Sequence, residues 1–145
     1  MYTKINEKDS IMKLGAIYSK EKTTFTLFSP VADSVFVIFY DKGNDSAETG
    51  RLEMMRGEGE LRSIFSATAE GNLDGVYYTY EVHTADGTFS SHDPYARACG
   101  VNGHRSMVID LSKTDPDGFA DEDRPKLADP MSMVITEVSV ADVSA

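Results

Sequence analysis

Tryptophan is absent from all 145 residues, and cysteine occurs once, at Cys99. The first absence removes the side chain with the largest flat apolar face. Any stacking surface must then be built from the seven tyrosines and seven phenylalanines. The second excludes an intrachain disulfide, and nothing else in the chain requires an oxidising compartment. Basic residues are scarce: 14 Lys and Arg stand against 24 Asp and Glu, a formal net charge of -10. Such a surface repels phosphate backbones and anionic lipid, so neither nucleic acid nor a membrane is an expected partner. No apolar run approaches the ~18 residues of a membrane span, and residues 1–13 lack the apolar core of a secretory signal. The expected location is cytoplasmic, with a secreted parent left open. The length suits one domain, or one domain plus a tail, and falls well short of the ~250 residues typical of a closed (β/α)8 barrel.

What is present is strand signal almost throughout. Residues 23–28 alternate, with Phe25 and Leu27 on one side and Thr24 and Thr26 on the other. Residues 35–40 are apolar on both faces, as in a central strand. Residues 41–50 read as a hairpin loop, 51–55 as a short strand with Leu52 and Met54 inward, and 56–60 as a turn. Residues 64–69 form another strand, and Gly71-Asn72-Leu73-Asp74-Gly75 another turn. Residues 76–84 give the strongest strand: Tyr78, Tyr80 and Val82 share one face, and Tyr77, Thr79, Glu81 and His83 share the other. Ala85-Asp86-Gly87 turns into Thr88-Phe89-Ser90. Residues 107–111 and 133–140 complete the set, separated by an Asp- and Pro-rich linker. No long amphipathic helix is apparent. The pattern predicts an all-β fold, an immunoglobulin-like antiparallel β-sandwich with an extended C-terminal linker and strand. The expected division is an N-terminal tail at 1–13, a sandwich at 14–111, a linker at 112–132 and a last strand segment at 133–145.

Chemistry-bearing motifs are few. Residues 115–123 look superficially like a calcium loop but have Ala120 where the loop needs glycine and Lys126 where it needs glutamate. His83, His92, Cys99 and His104 match no zinc spacing. His92 reads as a loop residue and Cys99 as a small buried filler. Gly57-Glu58-Gly59 lacks the lysine of a phosphate loop, and Asn44-Asp45-Ser46 is a formal glycosylation sequon. No metal and no cofactor is implied.

The segment 90–119 carries the most specific information. Asp93-Pro94-Tyr95-Ala96, Val101-Asn102-Gly103, Met107-Val108-Ile109-Asp110-Leu111 and Thr114-Asp115-Pro116 follow one another there. This block resembles the segment joining the N-terminal β-sandwich to the catalytic barrel in type I pullulanases, debranching enzymes of the α-amylase superfamily. The resemblance extends from about residue 14 to 144. Thr24-Phe25-Thr26-Leu27-Phe28-Ser29-Pro30 is similar to the family's opening strand, and residues 71–81, GNLDGVYYTYE, to its GDLxGxYYTYE. It implies a carbohydrate-binding-module-like sandwich of the starch- and glycogen-binding (E-set) type. Residues 134–144 look like barrel strand 1, VIYExxVRDFS, with Thr136, Ala141 and Val143 replacing an aromatic, an arginine and a phenylalanine. An unpaired strand invites pairing. Residues 134–140 are therefore expected to add to a sandwich edge or to pair with a second copy as a homodimer.

The expected function is a non-catalytic accessory domain that supports its own catalytic barrel in a parent enzyme, with weak α-glucan binding (pullulan, amylopectin, glycogen) left open. The linker motif favours it over a sandwich used only for protein contacts, and the missing tryptophan over an autonomous starch- or glycogen-binding module. If the domain binds α-glucan, the aromatic expected to stack on it is Phe89, at a turn, with Tyr78 or Tyr80 beside it; core packing is the favoured reading of the two tyrosines. Phe28 and Phe65, where the family commonly has tryptophan, read as core. The catalytic carboxylates of this family sit on later barrel strands, and Glu137 and Asp142 match structural positions instead. Retaining glycosidases need two carboxyl groups roughly 5–5.5 Å apart across the bond. No reducing sugar should be released from pullulan or starch by this chain. Release above blank that a substitution within these residues abolishes would overturn that expectation.

Overall fold

The computed structural model describes residues 13–123 and 126–143. Of the expected tail at 1–13, only Lys13 is included; the rest lies outside the described residues. The chain divides into two units at Lys113/Thr114.

Among its described residues the first unit holds eight strands: β1 (Gly15–Tyr18), β2 (Lys22–Phe28), β3 (Ser34–Tyr40), β4 (Glu48–Arg56), β5 (Ile64–Glu70), β6 (Tyr77–Thr84), β7 (Gly87–Ser91) and β8 (Ser106–Met107). All pairings are antiparallel, in the order β1-β2-β5-β4-β3-β6-β7, with β8 also on β6. One strand joins the two layers. Val35 to Phe39 of β3 pair with Met54 to Gly50 of β4, whereas Met55 and Arg56 pair with β5. The sheet therefore curls into the expected sandwich, with β1, β2 and β5 in one layer and β3, β6 and β7 in the other.

The period of two decides which side chains fill the gap. Phe25 and Leu27 point inward from β2, Val35 and Val37 from β3, Met54 from β4, Phe65 from β5, and Tyr78 and Tyr80 from β6. Phe25 meets Tyr78 edge-on at 5.0 Å, and Tyr78 meets Tyr80 at 5.8 Å, geometries that the ring quadrupole favours. The same period corrects one expectation. Phe28, one residue beyond Leu27, lies on the opposite face and is 51% exposed.

A buried carboxylate ties the loops to this core. Asp93, 2% exposed, accepts the Tyr78 hydroxyl at 2.7 Å and the Tyr80 hydroxyl at 3.2 Å on Oδ2, and the Tyr95 N–H at 2.8 Å on Oδ1. Its own N–H donates to Ser106 Oγ at 2.8 Å. The turn so formed presses on β1. A Cβ at Gly15, whose φ is +89°, would stand 2.9 Å from Tyr95 Cβ, so only glycine allows this approach.

Beyond β8 the expected strand at 107–111 is cut short. Val108 donates to the Val76 carbonyl at 2.9 Å, but Asp110 N–H goes to the Asp74 carboxylate at 2.8 Å instead of a ladder partner. Lys113 Nζ, 2.6 Å from the other Asp74 oxygen, closes that end and holds the Asp74 carboxyl below its usual range. Cys99 is exposed and not a buried filler, because it sits in a loop with one isolated bridge, to Ser106.

The second unit, from Thr114, has single 3-10 turns at Phe119–Asp121 and Pro130–Ser132 and one α-helical turn, α1 (Val140–Val143). The expected strand at 134–140 does not form. Residues 133–139 have no ladder among the described residues, and the Ser139 carbonyl starts a helical turn by accepting from Asp142 and Val143. A strand is defined by its partner, and none is supplied.

Burial first, and the Asp93 charge second, hold both tyrosine hydroxyls protonated well above their ordinary value of 10.0. A raised folded value means stability that is full below about pH 10 and lost as pH rises further. Alkaline titration should therefore release Tyr78 and Tyr80 as tyrosinate only together with loss of the β-sheet circular dichroism. Ionisation of every tyrosine with the sheet signal intact would contradict this packing.

Candidate carbohydrate-binding surface

The register that buries Tyr78 and Tyr80 turns their neighbours outward. On the solvent side of the β3–β6 layer, Tyr40 stands opposite Tyr77, Ile38 opposite Thr79, Phe36 opposite Glu81, and Ser34 opposite His83. Continuing outward, Glu81 faces Ser90 and His83 faces Thr88 on β7, while Glu53, Arg51 and Glu48 line the β4 side. Phe36, Tyr40 and Tyr77 are half-buried, and Ile38 beneath them is almost fully covered. These rings are held by their neighbours, Tyr40 with the Arg105 guanidinium over its ring, and remain partly open to water.

The polar groups on this face are paired. Arg51 grips Glu48 with two bonds of 2.8 Å and lies 3.5 Å from Glu81 Oε1. The bond from Arg51 lowers the Glu48 carboxyl, and Glu48 in turn raises the Arg51 guanidinium. His83 Nε2 lies 2.9 Å from Glu81 Oε1, and Nδ1 lies 3.2 Å from Thr88 Oγ1. The imidazole meets the Phe36 ring edge-on at 5.5 Å. Tyr40 Oη is 3.3 Å from Thr79 Oγ1. Carboxylates held in this way stiffen the surface and can accept hydrogen bonds from a polyol.

The structure separates the three residues expected to stack on sugar. Tyr78 and Tyr80 are 0% and 1% exposed, with both hydroxyls committed to Asp93, so neither presents a ring to a ligand. Phe89 is opposite Val82 on the edge strand β7, on the same inward side as those two, yet past the end of the core and 53% exposed. It forms a rim aromatic. Phe36, Tyr40 and Tyr77 were not singled out, although Tyr77 was legible: its face-mates Thr79, Glu81 and His83 are polar, and that marks the solvent side. Among the described residues no three His, Cys, Asp or Glu side chains converge as a metal site. A cavity of about 260 Å³ between β1 and residues 107–112 is lined by Ile17, Tyr18, Arg97, Met107 and Ile109. It lies at the seam between the two layers, with the Tyr78 ring also in its lining.

An immunoglobulin-like sandwich with half-buried rings on one outer sheet face is an architecture shared by carbohydrate-binding accessory modules. Residues 13–96 match the family described as carbohydrate-binding module 48 (isoamylase N-terminal domain), and the chain belongs to that family. Pullulanase A of Streptococcus pneumoniae serotype 4 is 31% identical over 116 residues, covering 75% of this chain and 9% of that protein. The pullulanase from Paenibacillus barengoltzii, solved in complex with maltohexaose and alpha-cyclodextrin, superposes with a TM-score of 0.78 at 34% identity, over 87% of this chain and 19% of that one. The pullulanase from Bacillus acidopullulyticus gives 0.74 at 35%, over 81% and 14%. The chain thus spans only 9–19% of the length of these relatives, the part that holds their module and not their catalytic barrel.

Core and surface tyrosines should respond differently to truncation. Tyr80→Ala should cost about 3–5 kcal/mol, as for other large buried aromatics, whereas Tyr77→Ala should cost about 1 kcal/mol. Urea unfolding of the two variants measures both, and equal losses would show that Tyr77 belongs to the core.

Proposed function

We propose that this chain is the glucan-facing accessory module of a pullulanase-type enzyme, binding α-1,4/α-1,6-linked glucan on the outer face of β3 and β6. The observation that carries the reading is the row of half-buried rings Phe36, Tyr40 and Tyr77, set among paired polar side chains in a family of carbohydrate-binding modules. Sugar rings present apolar C–H faces and polar edges, and a rigid aromatic face bordered by hydrogen-bonding groups suits both. That a similar pullulanase was solved with maltohexaose and alpha-cyclodextrin supports the choice of α-glucan. Phe89, at the β7 rim, extends the surface around the sheet edge. The longer enzyme would supply α-1,6 hydrolysis through its own catalytic barrel, the module's partner.

One observation favours support of that barrel as a concurrent role. The outer face of the other layer carries Phe28 at 51% and Met55 at 73% exposure, with Ile64 between them. Apolar side chains of that size on a sheet face fit a protein contact better than a sugar.

Affinity electrophoresis through amylopectin or pullulan tests the glucan reading. The wild-type chain should be retarded, and Tyr77→Ala and Phe89→Ala should each reduce retardation while the melting temperature stays within a few degrees. Undiminished retardation in both folded variants would remove these rings from the site. Absence of retardation in the wild type would leave the supporting role alone.

A further inference from the structure

Beside the Tyr40–Tyr77 pair, residues 41–47 leave the sheet as an irregular loop. Asp45 takes a left-handed backbone with φ 46°, and no backbone–backbone hydrogen bond is recorded for any of the seven residues. Such a segment has little of its own to hold it still. Its anchors come from a distant loop, and one side chain provides most of them. Arg105 Nη1 donates to the Lys42 carbonyl at 2.7 Å and to Ser46 Oγ at 2.8 Å, and Nη2 donates to the Ser46 carbonyl at 2.9 Å. The same guanidinium lies flat enough on Tyr40 for its carbon to stand 3.5 Å from the ring centroid. Backbone packing adds a second anchor: a Cβ on Gly100 would fall 2.5 Å from Gly43 Cα, and a Cβ on Gly43 would fall 3.1 Å from the Tyr77 ring. The loop is therefore pressed between residue 100 and the outer rings of the sheet.

We propose that Arg105 is the positioning residue of the glucan surface: its forked guanidinium fixes loop 41–47 as one wall of the surface and sets the orientation of the Tyr40 ring beside Tyr77. The inference rests on the glucan reading above. Arg105 acts through the loop and the ring, with the sugar itself contacting those. The physical reason is preorganisation. Ordering a free seven-residue loop at the moment of binding subtracts from affinity, and a loop ordered beforehand does not incur that loss. Lysine keeps the charge but lacks the planar fork that reaches two carbonyls and a hydroxyl while stacking on a ring.

The test compares wild type, Arg105→Ala, Arg105→Lys and Gly100→Ala, with amylopectin gels and maltohexaose titrations followed by tyrosine fluorescence, which no tryptophan masks. Backbone amide relaxation of residues 41–47 and melting temperatures are measured in parallel. Both Arg105 variants should stay folded, gain fast motion confined to 41–47, and bind about tenfold more weakly. Gly100→Ala, which displaces the loop and leaves the guanidinium intact, should weaken binding likewise, and it keeps the test decisive if an Arg105 variant fails to fold. Full binding by Arg105→Lys, or full binding by Arg105→Ala with a mobile loop, overturns the positioning role alone. Weakened binding with the loop still ordered also overturns it, in favour of direct contact. No binding by the wild type overturns the glucan reading, and the positioning role falls with it.

Discussion

The Asp93 carboxylate, buried among tyrosine hydroxyls, is the interaction on which the rest of the arrangement depends. Carboxyl oxygens that deep must find hydrogen-bond partners, and here two hydroxyls and an amide supply them. The same bonds give Tyr78 and Tyr80 a reason to be inside: their rings fill the core and their polar ends meet an acceptor there. They also bind the Asp93-Pro94-Tyr95-Ala96 turn to the sheet, with Gly15 admitting Tyr95 against β1. Loop and core are thereby made one object, which is why a loop motif can be as demanding as a core position.

With one face of β6 committed to the core, the opposite face is committed to solvent. A strand cannot bury Tyr78 and Tyr80 without turning Tyr77, Thr79, Glu81 and His83 outward. The outer surface is then finished by neighbours: Phe36 and Tyr40 from β3, Arg51 from β4, Thr88 from β7. Ion pairs this exposed add little stability. Their consequence is geometric, since each fixes a side chain beside a ring. Arg105 extends the same logic to a loop that has no ladder of its own.

The other layer shows the converse. The outward-pointing Phe28 and Met55 stand beside Ser and Thr side chains, and among the described residues no ion pair lies on that face. The C-terminal segment differs again. Val134, Ile135 and Val138 are apolar enough for a strand yet remain exposed without a ladder, because propensity alone does not form a sheet.

The sequence by itself determined the fold class and most strand positions, since alternation of apolar residues is a local signal and turn residues mark its ends. It also carried the family resemblance, through the order of short motifs from Thr24 to Pro116. Which tyrosines are buried was half legible: the faces of β6 could be separated, but which one met the core required knowing that β2 and β5 close over it. Tertiary structure alone decided that Phe28 is exposed, that Cys99 is accessible, and that residues 133–139 join no ladder among the described residues. It also brought Arg105 to residues 42 and 46, about sixty positions away in the chain. No periodicity records such a contact. A guanidinium selects its acceptors by distance and direction, and these exist only after the sheet has curled and the two loops have met.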